Sequence, residues 1–124
     1  GMFYEDGSYI SSDRRLKRNI DYLLPELSLA FIRRLKPASF RYKNKEEVRR
    51  GFIAQDVLEA MSESNTGRWD VVTEYPHADR KTGEESIRYT LAYTELLADI
   101  VGAVQELDRK VEKLYGKPGD DYAG

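Results

Sequence analysis

The chain has 124 residues, 34% of them charged and 40% hydrophobic, with 20 lysines and arginines against 22 acidic residues and a net charge of −2. That length suits one domain with a modest core, and the composition is not that of a disordered segment. With no cysteine and a single histidine, His77, a disulfide framework, a thiolate metal site and a multi-histidine centre are all excluded, and no cofactor is implied. No apolar run approaches the ~18 residues of a membrane span and no signal-peptide pattern opens the chain, so the expectation is a soluble protein of a reducing cytoplasm without a membrane partner.

Charge is distributed unevenly. Residues 13–50 carry 12 basic and 5 acidic side chains, and residues 51–124 carry 8 and 15. A basic segment over residues 14–50 could meet the phosphates of a nucleic acid. No sequence pattern of a nucleic-acid-binding module accompanies it, so a basic half facing an acidic half, in one chain or between copies, is the simpler reading.

In chain order, residues 1–12 (GMFYEDGSYISS) are aromatic and rich in Gly and Ser without helical periodicity, and read as an extended segment. Residues 13–22 are charged, with Leu16 and Ile20 four apart, which predicts a short helix or turn. Pro25 suits a first helical position. Leu27, Phe31 and Leu35, with Ala30 beside them, then give a helical apolar face ending at Lys36-Pro37. Ala38, Phe40 and Tyr42 alternate with polar residues as in a strand, and residues 44–50 read as a loop closing on Gly51. Ile53, Val57 and Met61 predict a helix over residues 54–62, and residues 63–68 break it. Residues 69–75 and 86–90 look like two strands joined by the turn-rich PHADRKTGEE, which places His77 in a loop.

The last element is the most regular. Leu97, Ile100, Val104, Leu107, Val111 and Leu114 follow a 3-4-3-4-3 spacing, a heptad seam in a helix predicted over residues 91–114, about 36 Å long. Gly116 and Pro118 end it. Such a stripe could pack on its own domain, but three heptads in a small chain favour self-association. Val at a with Leu at d suits dimers, whereas Leu97 at a with Ile100 at d suits higher states, so the spacing implies an oligomer without fixing its number.

Chemistry concentrates in Ser11-Ser12-Asp13-Arg14-Arg15-Leu16-Lys17-Arg18. Ser12-Asp13 is an ordinary helix start. It is also a serine five residues before a lysine, which could serve as nucleophile and base. A lysine takes a proton only when neutral, so its pKa must fall from about 10.4 towards 7–8. Neighbouring Arg14, Arg15 and Arg18, together with burial, push in that direction. Geometry constrains the pair: five residues apart, the side chains lie about 140° apart on a helix and on opposite faces of a strand. Ser12 must therefore precede the helix, or its lysine must come from another subunit. His77 has no identifiable triad partners, and no glycine-rich phosphate loop or distinctive carboxylate pair is present.

The segment SDRRLKRNI, followed in order by LKPASFRYK, GFIAQDVLEAM and SIRYTLAYTELLADIVGAVQEL, resembles the intramolecular chaperone domain of phage tail spikes and tail fibres, the S74 peptidase family. The resemblance covers residues 11–114 and departs from the family pattern at SESNTGRWDVV. It implies an α+β domain whose helices accompany a small antiparallel sheet, with a long C-terminal helix in a homotrimeric coiled-coil-like bundle. It further implies residues 1–12 as the end of an upstream shaft, 13–115 as the chaperone and 116–124 as a tail. The implied function is to trimerise, promote folding of the fibre or spike shaft in the host cytoplasm, and leave by Ser-Lys autoproteolysis. Carried over by residue, the catalytic pair is Ser12 and Lys17, with Asp13 supporting. Ring size favours the Ser11-Ser12 bond, because Ser12 Oγ reaches the Ser11 carbonyl through a five-membered ring. The Ser12-Asp13 bond is the alternative if a second subunit attacks, and a trimerisation module that does not cleave is the alternative function.

Overall fold

The computed structural model describes residues 11–67 and 69–116. The extended reading of residues 1–10 and the tail beyond Gly116, including Pro118, lie outside the described residues. Among the described residues, three helices, two two-stranded antiparallel ribbons and two single 3-10 turns make up an α+β fold.

Helix α1 (Pro25–Ile32) starts with proline at its first turn, where the missing N–H costs no hydrogen bond. It ends four residues before Lys36, and its buried side chains are Ser28, Leu29 and Phe31 rather than the whole predicted face. Leu27 is 38% exposed. Strands β1 (Ala38–Phe40) and β2 (Arg49–Gly51) pair with Ala38 opposite Gly51. β2 lies within the stretch expected to be a loop, because its charged residues pair through backbone groups on an exposed ribbon. A Cβ at Gly51 would come within 2.5 Å of the Tyr93 hydroxyl and displace it from the hydrogen bond it accepts from the Phe52 N–H at 3.3 Å.

Helix α2 (Ala54–Ser64) buries Val57, Ala60, Met61 and Ser64, and Asn65 in the left-handed region closes it. Strands β3 (Val72–Ala78) and β4 (Glu85–Leu91) form the longer ribbon, with Val72 opposite Leu91 and His77 opposite Ser86. His77 thus sits in a strand, not a loop. The turn narrows to the residues after Ala78, where the Asp79 carboxylate accepts from the N–H groups of Lys81 and Thr82 at 2.8 and 3.0 Å. These bonds hold its carboxyl below the usual range. The two ribbons are separate, so the single small sheet expected from the sequence is replaced by two.

Helix α3 (Leu96–Tyr115) follows a 3-10 turn at Tyr93–Glu95 and is about 30 Å long. It begins later than the periodicity suggests because Leu91 belongs to β4. The core is formed by Phe31, Val57, Ala60, Met61, Val71, Val72 and Leu96. Trp69 closes one side, edge-on to Phe31 with centroids 5.2 Å apart. Among the described residues, no helix is long and apolar enough to cross a membrane.

Candidate functional site

The site is built on one turn of backbone. Asp13 caps the 3-10 turn Arg14–Leu16 by accepting from the Arg15 N–H at 2.9 Å. The Leu16 and Lys17 N–H groups close the turn on the carbonyls of Asp13 and Arg14 at 3.0 and 3.1 Å. The Arg15 guanidinium folds back and donates to the same carboxylate, with one nitrogen 2.8 Å from Oδ2. The Arg15 side-chain bond, followed by its backbone bond, holds the Asp13 carboxyl below its ordinary range and raises the Arg15 guanidinium above its own.

Ser12 precedes this turn and Lys17, in extended conformation, follows it. The chain therefore reverses between them, and Lys17 Nζ donates to Ser12 Oγ at 2.7 Å. This resolves the geometric constraint read from the sequence. Of the short helix or turn expected over residues 13–22, the structure forms a single 3-10 turn, and a spacing of five brackets that turn instead of running along a helix. Asp13, not Ser12, is the cap.

Beyond the turn, Arg14 donates to the Tyr22 hydroxyl at 3.2 Å. Asn19 sits in the left-handed region at φ 54°, a conformation asparagine tolerates better than most residues. The Asp13–Arg15 clamp and the Arg14–Tyr22 bond went unrecognised in the sequence reading, although an Asp-x-Arg spacing at a helix start would have flagged the clamp. The arginine cluster is consequently not three free charges around Lys17, since Arg15 is neutralised by Asp13.

The turn packs against no other helix or strand among the described residues, and residues 12–24 are exposed throughout. The arm approaches the body at Leu23 and Leu24, which line a cleft of about 430 Å³ with Thr66, Trp69 and Ala98. The scissile candidates Ser11 and Ser12 thus lie in an open site. Among the described residues, no group of histidines and carboxylates could hold a metal ion. Within the basic segment, Arg15, Arg34 and Arg49 pair with Asp13, Glu63 and Glu47.

The heptad residues come together on the outside of α3. Leu97, Ile100, Val104, Leu107, Val111 and Leu114 are between 42% and 75% exposed, while Leu96, Asp99, Gly102, Ala103 and Glu106 are buried against the body. Asp99 accepts from the Ser28 hydroxyl at 3.0 Å. Burial pushes its carboxyl above the usual range, and the Ser28 bond opposes this. Glu106 accepts from Arg109 at 2.5 Å, which holds its carboxyl low.

Comparison with known proteins brings in a family at this point. Residues 12–66 match the model of Peptidase_S74, described as chaperone of endosialidase. That span begins at Ser12 and contains Lys17. A probable tail fiber protein of Escherichia phage Phieco32 is 33% identical over 108 residues, 86% of this chain, and this chain spans 13% of that protein's length. A crystal structure of a novel intramolecular chaperone superposes with a TM-score of 0.58 at 18% identity, covering 79% of this chain and 99% of that one; at that identity the likeness speaks for the fold. The family match over residues 12–66, the tail-fibre relative and the shared fold agree in likening this chain to the chaperones of endosialidase.

Proposed function

We propose that this chain is the intramolecular chaperone of a phage tail fibre or spike: it trimerises through α3, promotes folding of a shaft in the same polypeptide, and then cuts itself away. The observation that carries the cleavage reading is the 2.7 Å contact between Lys17 Nζ and Ser12 Oγ, held by the Asp13–Arg15 clamp. The exposed heptad stripe supports assembly, since such a repeat is complementary to further copies of itself. Assembly would occur in the host cytoplasm, and the tail-fibre relative supports a shaft that passes to the virion tail.

In the proposed reaction, neutral Lys17 takes the Ser12 hydroxyl proton as Oγ attacks the Ser11 carbonyl carbon. The Ser11-Ser12 C–N bond breaks, and the proton passes to the departing Ser12 amine. The resulting ester is opened by water, which leaves the Ser11 carboxylate and restores the Ser12 hydroxyl. Lys17 stands exposed in one chain, so a neighbouring copy that covers it would favour the neutral amine by desolvation. Cleavage would then follow assembly. Holding three chains in register replaces an intermolecular search by a local one, which helps slow non-local β pairing most. Removal of the helper leaves the shaft kinetically trapped.

Intact mass under denaturing conditions tests the cleavage, with wild type beside Ser12→Ala and Lys17→Ala. The expected wild-type product begins at Ser12 and is absent from both variants, while their assembled mass is unchanged. A product beginning at Asp13 would move the cut to the next bond. An intact wild-type chain of trimeric mass would leave a trimerisation module without proteolysis.

A further inference from the structure

The orientation of α3 on its own body is the unexplained feature. On a helix, successive residues are 100° apart. The buried positions Leu96, Asp99, Gly102, Ala103 and Glu106 therefore centre about 110° away from the heptad stripe. The body receives Leu96, Ala103, a glycine and two carboxylates, while the six large aliphatic side chains of the stripe remain in solvent. In an isolated chain, apolar burial favours rolling α3 by about a third of a turn so that the stripe meets α1. Leu96, seated in the core, opposes that roll at the first turn of α3, and something further along the helix must hold the rest.

The contact between α1 and α3 supplies it. At Gly102 the two backbones approach so closely that a Cβ there would lie 2.8 Å from Ser28 Oγ and 2.9 Å from Ser28 Cβ, with Pro25 Cα at 3.8 Å. A Cβ does not fit this spot, and the roll that turns the stripe inward would bring Ala103 to it and drive the helices apart. Directly beside it, the Ser28 hydroxyl donates to Asp99 at 3.0 Å, and both residues are buried, 2% and 6% exposed. A rolled α3 would withdraw Asp99 and leave the Ser28 hydroxyl buried without that acceptor. One half of the contact is steric and the other is a hydrogen bond, and both select the same rotation.

We propose that Gly102, Ser28 and Asp99 are positioning residues for assembly: they fix the rotation of α3 so that its apolar stripe stays outward for further copies of the chain. The proposal rests on the reading of that stripe as the self-association face. None of the three residues belongs to the heptad seam, so the key acts on assembly through the rotation of α3.

Sedimentation equilibrium of the full chain tests it. Gly102→Ala raises the apparent dissociation constant at least tenfold, although alanine is the better helix former. Ser28→Gly in the same chain removes the overlap from the other side, and with it the bond to Asp99, so the constant recovers in part, to at least threefold below that of Gly102→Ala. Gly102→Ala that assembles like wild type overturns the proposal, as does a double variant that assembles no better than Gly102→Ala.

A merely structural role is separated by rotational phase. The chain has no cysteine, so single cysteines at positions 100, 103 and 104 can be labelled one at a time, in a Leu107→Asp background that keeps the chain monomeric. With Gly102 present, position 103 is protected and positions 100 and 104 react. With Gly102→Leu, protection extends to positions 100 and 104 as well. An unchanged pattern, or uniform reactivity from a detached helix, overturns the proposal. If Leu107→Asp leaves the assembled mass unaltered, the self-association reading fails, and the cysteine pattern still decides whether the key sets the rotation.

Discussion

Helices α2 and α3 are both amphipathic, and they point their apolar residues in opposite directions. In α2, Val57, Ala60 and Met61 are at most 3% exposed and form the centre of the core. In α3, Leu97, Ile100, Val104 and Leu107 are at least 42% exposed, and the side turned to the body carries Leu96, Asp99, Gly102, Ala103 and Glu106. The same 3-4 spacing therefore serves the domain in one helix and, in our reading, its copies in the other. Hydrophobic periodicity reports that a face will be buried, not what will bury it. The site follows the pattern of α3: its turn is internally well bonded, yet it projects away from the packed body.

The contrast is broken most severely by placing one charge in each helix. Val57→Asp puts an uncompensated carboxylate at a fully buried position and should cost several kcal/mol, enough to abolish a cooperative thermal transition in circular dichroism. Leu107→Asp, at a position 45% exposed, should change the stability of the single chain by no more than about 0.5 kcal/mol. Its effect appears in light scattering instead, as a fall from the assembled to the monomeric mass. An undiminished mass would show that α3 is not the main interface.

A subtler substitution sharpens the comparison inside α3. The Asp99 carboxyl is raised, so the folded chain holds that proton more tightly than the unfolded one. Its contribution favours the fold at low pH and is lost as pH rises from the unfolded carboxylate value of about 3.9 through the raised folded value. Asp99→Asn keeps an acceptor for the Ser28 hydroxyl and removes the ionisation. Thermal melts across pH 4–7 should show the variant gaining on wild type as pH rises, and a constant difference would contradict the sign. This is the smallest of the three expected effects.

The family resemblance, the two longer helices and the longer ribbon were all legible in the sequence, because each rests on local periodicity or a contiguous motif. β2 was not legible: Arg49-Arg50-Gly51 has no strand pattern and becomes one through pairing with Ala38–Phe40 and the close fit of Gly51 under Tyr93. His77 was misplaced for a related reason, since a Pro-His-Ala stretch reads as a turn until seven cross-strand partners extend the ribbon past it. In the site, residue types and spacing nominated Ser12 and Lys17. Their 2.7 Å approach depended on a single 3-10 turn and on Arg15 folding back onto Asp13.

By itself the sequence determined the chain's chemical vocabulary: no thiols, one histidine, a serine–lysine pair beside a cationic turn, and a heptad stripe. These are properties of residue types and of distances along the chain, which the primary structure holds completely. Tertiary structure alone decided which way α3 faces. That choice arises where Gly102 meets Ser28 and Asp99, residues 71 positions apart in the hydrogen-bonded pair, and close packing between distant segments leaves no periodic trace in either one.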